Sequence, residues 1–129
     1  MRKLFDLFKG LFDTPSDFAG DAEGWTNNQS AHAMFIGTGL MLMITTLAFS
    51  GLYTPLSAGS LFLVMALYAV WEVLQIANGS KWLDSITDWA FVSSGAVLAW
   101  AGMLGDRESF TICLVGIVFA LALGALKRL

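Results

Sequence analysis

The chain is poor in charge and nearly without cysteine. Only 13% of its 129 residues are Asp, Glu, Lys or Arg, against the ~25% of an ordinary soluble domain. That scarcity excludes a disordered tail, a coiled coil and almost every soluble globular fold. The single cysteine, Cys113, excludes an internal disulfide and any Cys-based zinc site within one chain. Seven basic residues against ten acidic ones give a net charge of −3 and a pI near 4.8. Nothing there suggests a nucleic-acid footprint. Also missing are a nucleophile motif, a phosphate loop, haem or iron–sulfur spacing and an inverted repeat. No catalytic residue is assigned, cofactor and metal stay unknown at this level, and enzyme activity is unsupported.

What the chain has is apolar length. Hydrophobic residues make up 57% of it and its mean hydropathy is +0.69. Four stretches approach the ~20 apolar residues that cross a bilayer core: about 33–53, 58–77, 85–104 and 109–126. Breakers at Thr54-Pro55, at Asn78-Gly79-Ser80 and at Gly105-Asp106 separate them. The runs are continuous, without the period-two alternation of barrel strands, and in lipid each backbone amide must bond within its own segment. The reading is all-α: a polytopic membrane protein of four transmembrane helices.

Residues 1–13 differ. Leu4, Phe5, Leu7, Phe8, Leu11 and Phe12 recur at helical spacing opposite Arg2, Lys3, Asp6, Lys9 and Asp13. This amphipathic segment is too short and too charged to span, and is expected to lie along the headgroups. Asp6 and Lys9 interrupt any signal-peptide core. An acidic, polar linker is expected at 14–31, followed by the membrane domain at 32–129.

Four spans put both termini on one side. Arg2, Lys3, Lys9, Lys81, Lys127 and Arg128 share that side, while the other holds only Arg107. The excess of basic residues places both termini in the cytoplasm.

The unusual polar residues then converge on one leaflet. His32 begins the first span, Glu72 and Gln75 close the second with Tyr68 on their face, and Asp84 and Asp88 open the third beyond Lys81. Acids tolerated within apolar segments turn inward, since one facing lipid near the bilayer centre costs at least ~2.5–3.5 kcal/mol. Two readings stand. Glu72, Asp84 and Lys81 fix how two spans meet, as interfacial groups that snorkel or pair. Alternatively, His32, Glu72, Gln75, Lys81, Asp84 and Asp88 form a pocket that binds a lipid headgroup or an ion, with Glu72 and Asp88 central.

The stripe from Asp84 and Asp88 continues through Phe91, Gly95, Leu98 and Gly102, and His32, Gly39 and Thr46 give the first span a similar inward face. Gly95 and Gly102 allow close approach of another backbone. Gly116, Ala120 and Gly124 form a small-residue ridge on the last span, suited to packing within the chain or to a homo-oligomer. Trp25, Trp71, Trp82 and Trp89 suggest an aromatic belt. Met41, Met43 and Met65 are ordinary fillers.

Asn28-x3-His32, Trp71-Glu72-x-x-Gln75, then Lys81, Asp84, Asp88 and Gly95 together resemble the VanZ-like family of small bacterial and phage membrane proteins. The resemblance covers about residues 27–101. Asp88 stands where that family usually has Asn, Lys81 where it has Arg, and Asn27-Asn28 where it has an acid–Lys pair. It implies a bundle of membrane helices in the bacterial inner membrane and an envelope role linked to glycopeptide resistance. Two other functions fit the same features: a phage holin-like, permeabilising protein that oligomerises through the last span, and a passive scaffold or assembly subunit.

Overall fold

The computed structural model describes residues 20–47 and 58–129. Among them the chain is all-helical, in four helices. The first, α1, runs Ala22–Leu47 and contains a π-helical stretch at His32–Gly37. It is followed by α2 (Ala58–Ala77), α3 (Trp82–Leu104) and α4 (Arg107–Leu126). The amphipathic segment expected at 1–13 lies outside the described residues. So do 48–53, the expected end of the first span.

Helix ends follow local chemistry. Asp21 caps α1, its carboxylate accepting from the Gly24 amide at 2.8 Å. The helix therefore begins ten residues before His32, inside the stretch expected to be linker, and His32 sits within a helix instead of opening one. The α2–α3 and α3–α4 connections both turn on glycines in the left-handed region, Gly79 at φ 103° and Gly105 at φ 72°. At each, the next amide reaches back to close the helix, Ser80 to the Gln75 carbonyl and Asp106 to that of Ala101, both at 3.0 Å.

α3 is the axis of the bundle and packs against all three other helices. α1 crosses it, meeting α4 near its own start and α2 near its end. Two apolar clusters follow this crossing. Trp25, Ala33, Phe91, Leu98 and Ile117 fill the side toward α4, and Met41, Ile44, Val64 and Ala96 the side toward α2. Met41 is thus core, whereas Met43 is exposed.

The α1–α3 contact is backbone on backbone. A methyl group on Gly95 would collide with the Ala33 carbonyl, and one on Gly37 with that of Val92. Thr38 Oγ1 bridges the two helices, donating to the Gly95 carbonyl at 3.2 Å. The π stretch is what turns Gly37 inward. An i→i+5 turn inserts roughly one extra residue and rotates everything beyond it. The buried face consequently runs through His32, Ala33, Gly37, Met41, Ile44 and Thr45, while Gly39 and Thr46, expected inside, are exposed. Of the α4 ridge, only Gly124 packs within the chain, against the Trp25 indole; a methyl group on Gly116 would meet no neighbouring element within 4 Å and Ala120 is exposed. Gly102 is exposed, and a methyl group there would meet only the edge of the Phe110 ring, at 3.4 Å.

The outside is apolar. Phe35, Phe62, Ile112 and Phe119 are among many large hydrophobic side chains exposed by more than half. A water-soluble monomer rarely presents so continuous an apolar surface. Three helices, Ala22–Leu47, Ala58–Ala77 and Arg107–Leu126, are long and apolar enough to cross a membrane. α3 is not among these three, and its place explains why. Packed against the other three helices on one side, it buries or half-buries Asp84, Ser85, Asp88, Ser93 and Ser94, polar groups that lower its hydropathy, and leaves Trp82, Leu83 and Ile86 exposed on the other.

Candidate functional site

α1 starts, α2 ends, α3 starts and α4 ends at the same end of the bundle, and there the polar side chains meet. Asp88 lies six residues, roughly 9 Å, into α3. Its Oδ1 accepts a hydrogen bond from Gln29 Nε2 at 2.8 Å, and its Oδ2 lies 3.6 Å from His32 Nε2. The other ring nitrogen, Nδ1, is 2.8 Å from the Asn28 carbonyl. A carbonyl only accepts, so Nδ1 carries the proton. Nε2 then faces a carboxylate oxygen, and the His32–Asp88 contact is attractive when one proton is held between them.

Glu72 approaches from α2. It is buried and within electrostatic reach of Tyr68, Ser85, Asp88 and His32. The Tyr68 ring stands edge-on to His32, with centroids 6.3 Å apart. His32, Glu72 and Asp88 thus lie within electrostatic reach of one another, with a direct contact only between His32 and Asp88 among the described pairs.

This interior holds polar atoms without hydrogen-bond partners. Gln29 Oε1 and Asp84 Oδ2 are both buried and unpaired. A buried polar atom left unsatisfied costs ~1–3 kcal/mol. Two such atoms beside a cavity are what a site prepared for a ligand or ordered water presents.

A cleft of about 260 Å³ opens beside them, lined by Trp25, Gln29, Leu83, Asp84, Thr87, Asp88, Lys127 and Arg128. Arg128 is fixed there: its guanidinium stacks over the Trp25 ring at 4.2 Å and its Nη1 donates to the Gly124 carbonyl at 3.0 Å. Trp25 is in turn buried, edge-to-face with Phe91 at 5.9 Å. It is a structural anchor of the cleft wall and not a member of an interfacial belt. Trp89 likewise has a specific partner, donating from Nε1 to the Met65 carbonyl of α2 at 3.0 Å.

Of the candidates read from sequence, His32, Glu72 and Asp88 come together and Asp84 joins Asp88 in the cleft. Gln75 and Lys81 do not line it; Lys81 sits exposed at the start of α3. Gln29, Lys127 and Arg128 were missed as site residues. Gln29 stands three residues before His32, on the same helical face, once Asp21 is recognised as a helix start. Among the described residues, no group of three His, Cys, Asp or Glu side chains is arranged to hold a metal ion.

No family model matches the chain, and neither curated proteins nor solved structures yielded a significant match.

Proposed function

We propose that this chain is a small four-span protein of the bacterial inner membrane that binds a lipid headgroup at the cytoplasmic end of its bundle, in an envelope-related role. The observation that carries the reading is the cleft of about 260 Å³ between charged walls, continuous with buried acceptors that lack donors. α3 is taken as a span because α2 and α4 are joined to its two ends by short connections at 78–81 and 105–106. Short ties at both ends support a crossing by α3 between two crossing neighbours. Its length of 23 residues, roughly 35 Å, suffices. Lys81, Lys127 and Arg128 at the site end, against Arg107 alone at the other, support a cytoplasmic location for the site. The VanZ-like resemblance around Glu72, Gln75 and Asp88 suggests the envelope role.

The test is lipid retention. Extracted in mild detergent, the intact chain should carry bound phospholipid in native mass spectra. Asp88→Asn combined with Arg128→Gln should cut retention about tenfold while membrane insertion stays normal. Equal retention by the double variant would reject the reading.

A holin-like assembly is favoured by one separate observation, the open Gly116 and Ala120 face of α4. It requires loss of membrane potential on induced expression; an unchanged potential excludes it.

A further inference from the structure

The cleft has walls of opposite sign that do not touch. Asp84 and Asp88 line it from α3, Lys127 and Arg128 from the end of α4. Among the described residues no ion pair within 4 Å joins the two sets; Asp88 is engaged by Gln29 and His32 instead. Opposite charges this near would close on one another unless the fold held them apart, and Trp25 and the Gly124 carbonyl hold Arg128 in place. What spans such a gap favourably is a group carrying both signs.

We infer that the cleft takes a phospholipid headgroup bearing a phosphate and a primary ammonium, the ammonium at Asp84, Asp88 and Gln29 and the phosphate at Lys127 and Arg128. The inference rests on the headgroup reading above and names its chemistry.

The acceptors decide for a primary amine. Gln29 is 3% exposed and its Oε1 has no donor, and Asp84 Oδ2 is buried without one. An ammonium brings three N–H donors to such atoms; a quaternary ammonium or a hydroxylated headgroup brings none or too little charge. On the opposite wall, a guanidinium presents a rigid fork of donors that matches phosphate geometry. Arg128 spends an Nη1 donor on Gly124 and has others to offer. A volume of about 260 Å³ is smaller than the ~300–1,000 Å³ of drug-sized pockets and suits a headgroup alone. The exposed Leu83 at the rim gives the acyl chains an apolar exit.

The test uses the full-length protein in detergent, with native mass spectrometry against phosphatidylethanolamine, phosphatidylcholine and phosphatidylglycerol of identical acyl chains. Soluble phosphoethanolamine serves as competitor. The expected result is retention of phosphatidylethanolamine about tenfold above either other lipid. Asp84→Asn or Gln29→Leu should reduce that preference to parity with phosphatidylglycerol, whereas Arg128→Gln should weaken both lipids alike. Equal retention of phosphatidylethanolamine and phosphatidylglycerol by the unaltered chain overturns this inference and leaves headgroup binding intact. Failure to retain any lipid above background overturns both. Displacement by phosphoethanolamine at concentrations matching the lipid would assign the cleft to a soluble ligand and reject the lipid.

Discussion

Gln29 donates to Asp88 across 59 positions of sequence, and this one hydrogen bond of 2.8 Å ties the start of α1 to the first turns of α3. It explains how a carboxylate is tolerated in an otherwise apolar bundle. One oxygen is engaged by a neutral amide and the other faces an imidazole at 3.6 Å. The same contact makes Asp88 a hinge between stability and binding, since it also lines the cleft.

Asp88→Ala removes the partner of both Gln29 and His32. Leaving two part-buried polar groups without a partner in this way should cost about 3–5 kcal/mol. Asp88→Asn retains an acceptor for Gln29 and loses only the charge, so it should cost less, about 1–3 kcal/mol. Reversible unfolding in mixed micelles measures the difference. Identical losses would show that the charge of Asp88 contributes nothing to the fold.

The glycines divide sharply by surroundings. Gly95→Ala and Gly37→Ala each drive a methyl into a carbonyl of the facing helix, which cannot retreat as a flexible side chain would. Each should destabilise by about 1–3 kcal/mol or more, with loosening of α1 from α3. Gly39→Ala and Gly116→Ala meet nothing within 4 Å. These should be neutral or stabilise by up to about 1 kcal/mol, as alanine favours the helix. A large loss at Gly116 in micelles would instead reveal a second copy packed on α4.

Much of the bundle was legible because bilayer thickness and helical period leave few alternatives. The starts of α2, the course of α3 and the inward stripe Asp88, Phe91, Gly95 and Leu98 follow from spacing alone. The face of α1 did not, because spacing arguments assume 3.6 residues per turn throughout. The π turn at His32–Gly37 breaks that assumption and moves Gly39 and Thr46 outward. No residue type marks such a turn in advance; the close approach of Gly37 and Gly95 is what it permits. The site was half legible. His32, Glu72 and Asp88 are conspicuous as ionisable groups in apolar runs. Gln29 looked like linker, and Lys127-Arg128 looked only like a topological signal, because their role depends on where α4 ends relative to α1.

The His32 ring makes an assertion that spectroscopy can check. Hydrogen bonding to the Asn28 carbonyl at 2.8 Å requires the proton on Nδ1. Nitrogen-15 spectra of selectively labelled protein should show a protonated Nδ1, with Nε2 responding to Asp88→Asn. An unprotonated Nδ1 would mean that the ring is flipped and that its contact with Asp88 differs from the one described.

Acid should loosen the start of α4 through Asp106. Its Oδ1 accepts from the Ser109 amide at 3.1 Å, capping the helix. Hydrogen bonds from the Ser109 side chain and backbone hold the carboxyl below its ordinary value. A group whose native value is depressed stabilises the fold at pH above its unfolded value, about 3.9 for Asp. The contribution falls away as pH drops through the lower native value. Hydrogen exchange at the Ser109 and Phe110 amides should therefore accelerate selectively as pH falls below about 4, after correction for intrinsic rates. Asp106→Asn keeps a capping oxygen without a charge to titrate, so its exchange at these amides should be flat over that range. Acceleration of equal size in both proteins would place the acid response elsewhere in the molecule, and Asp106→Ala, which removes the cap, should expose the same amides at every pH.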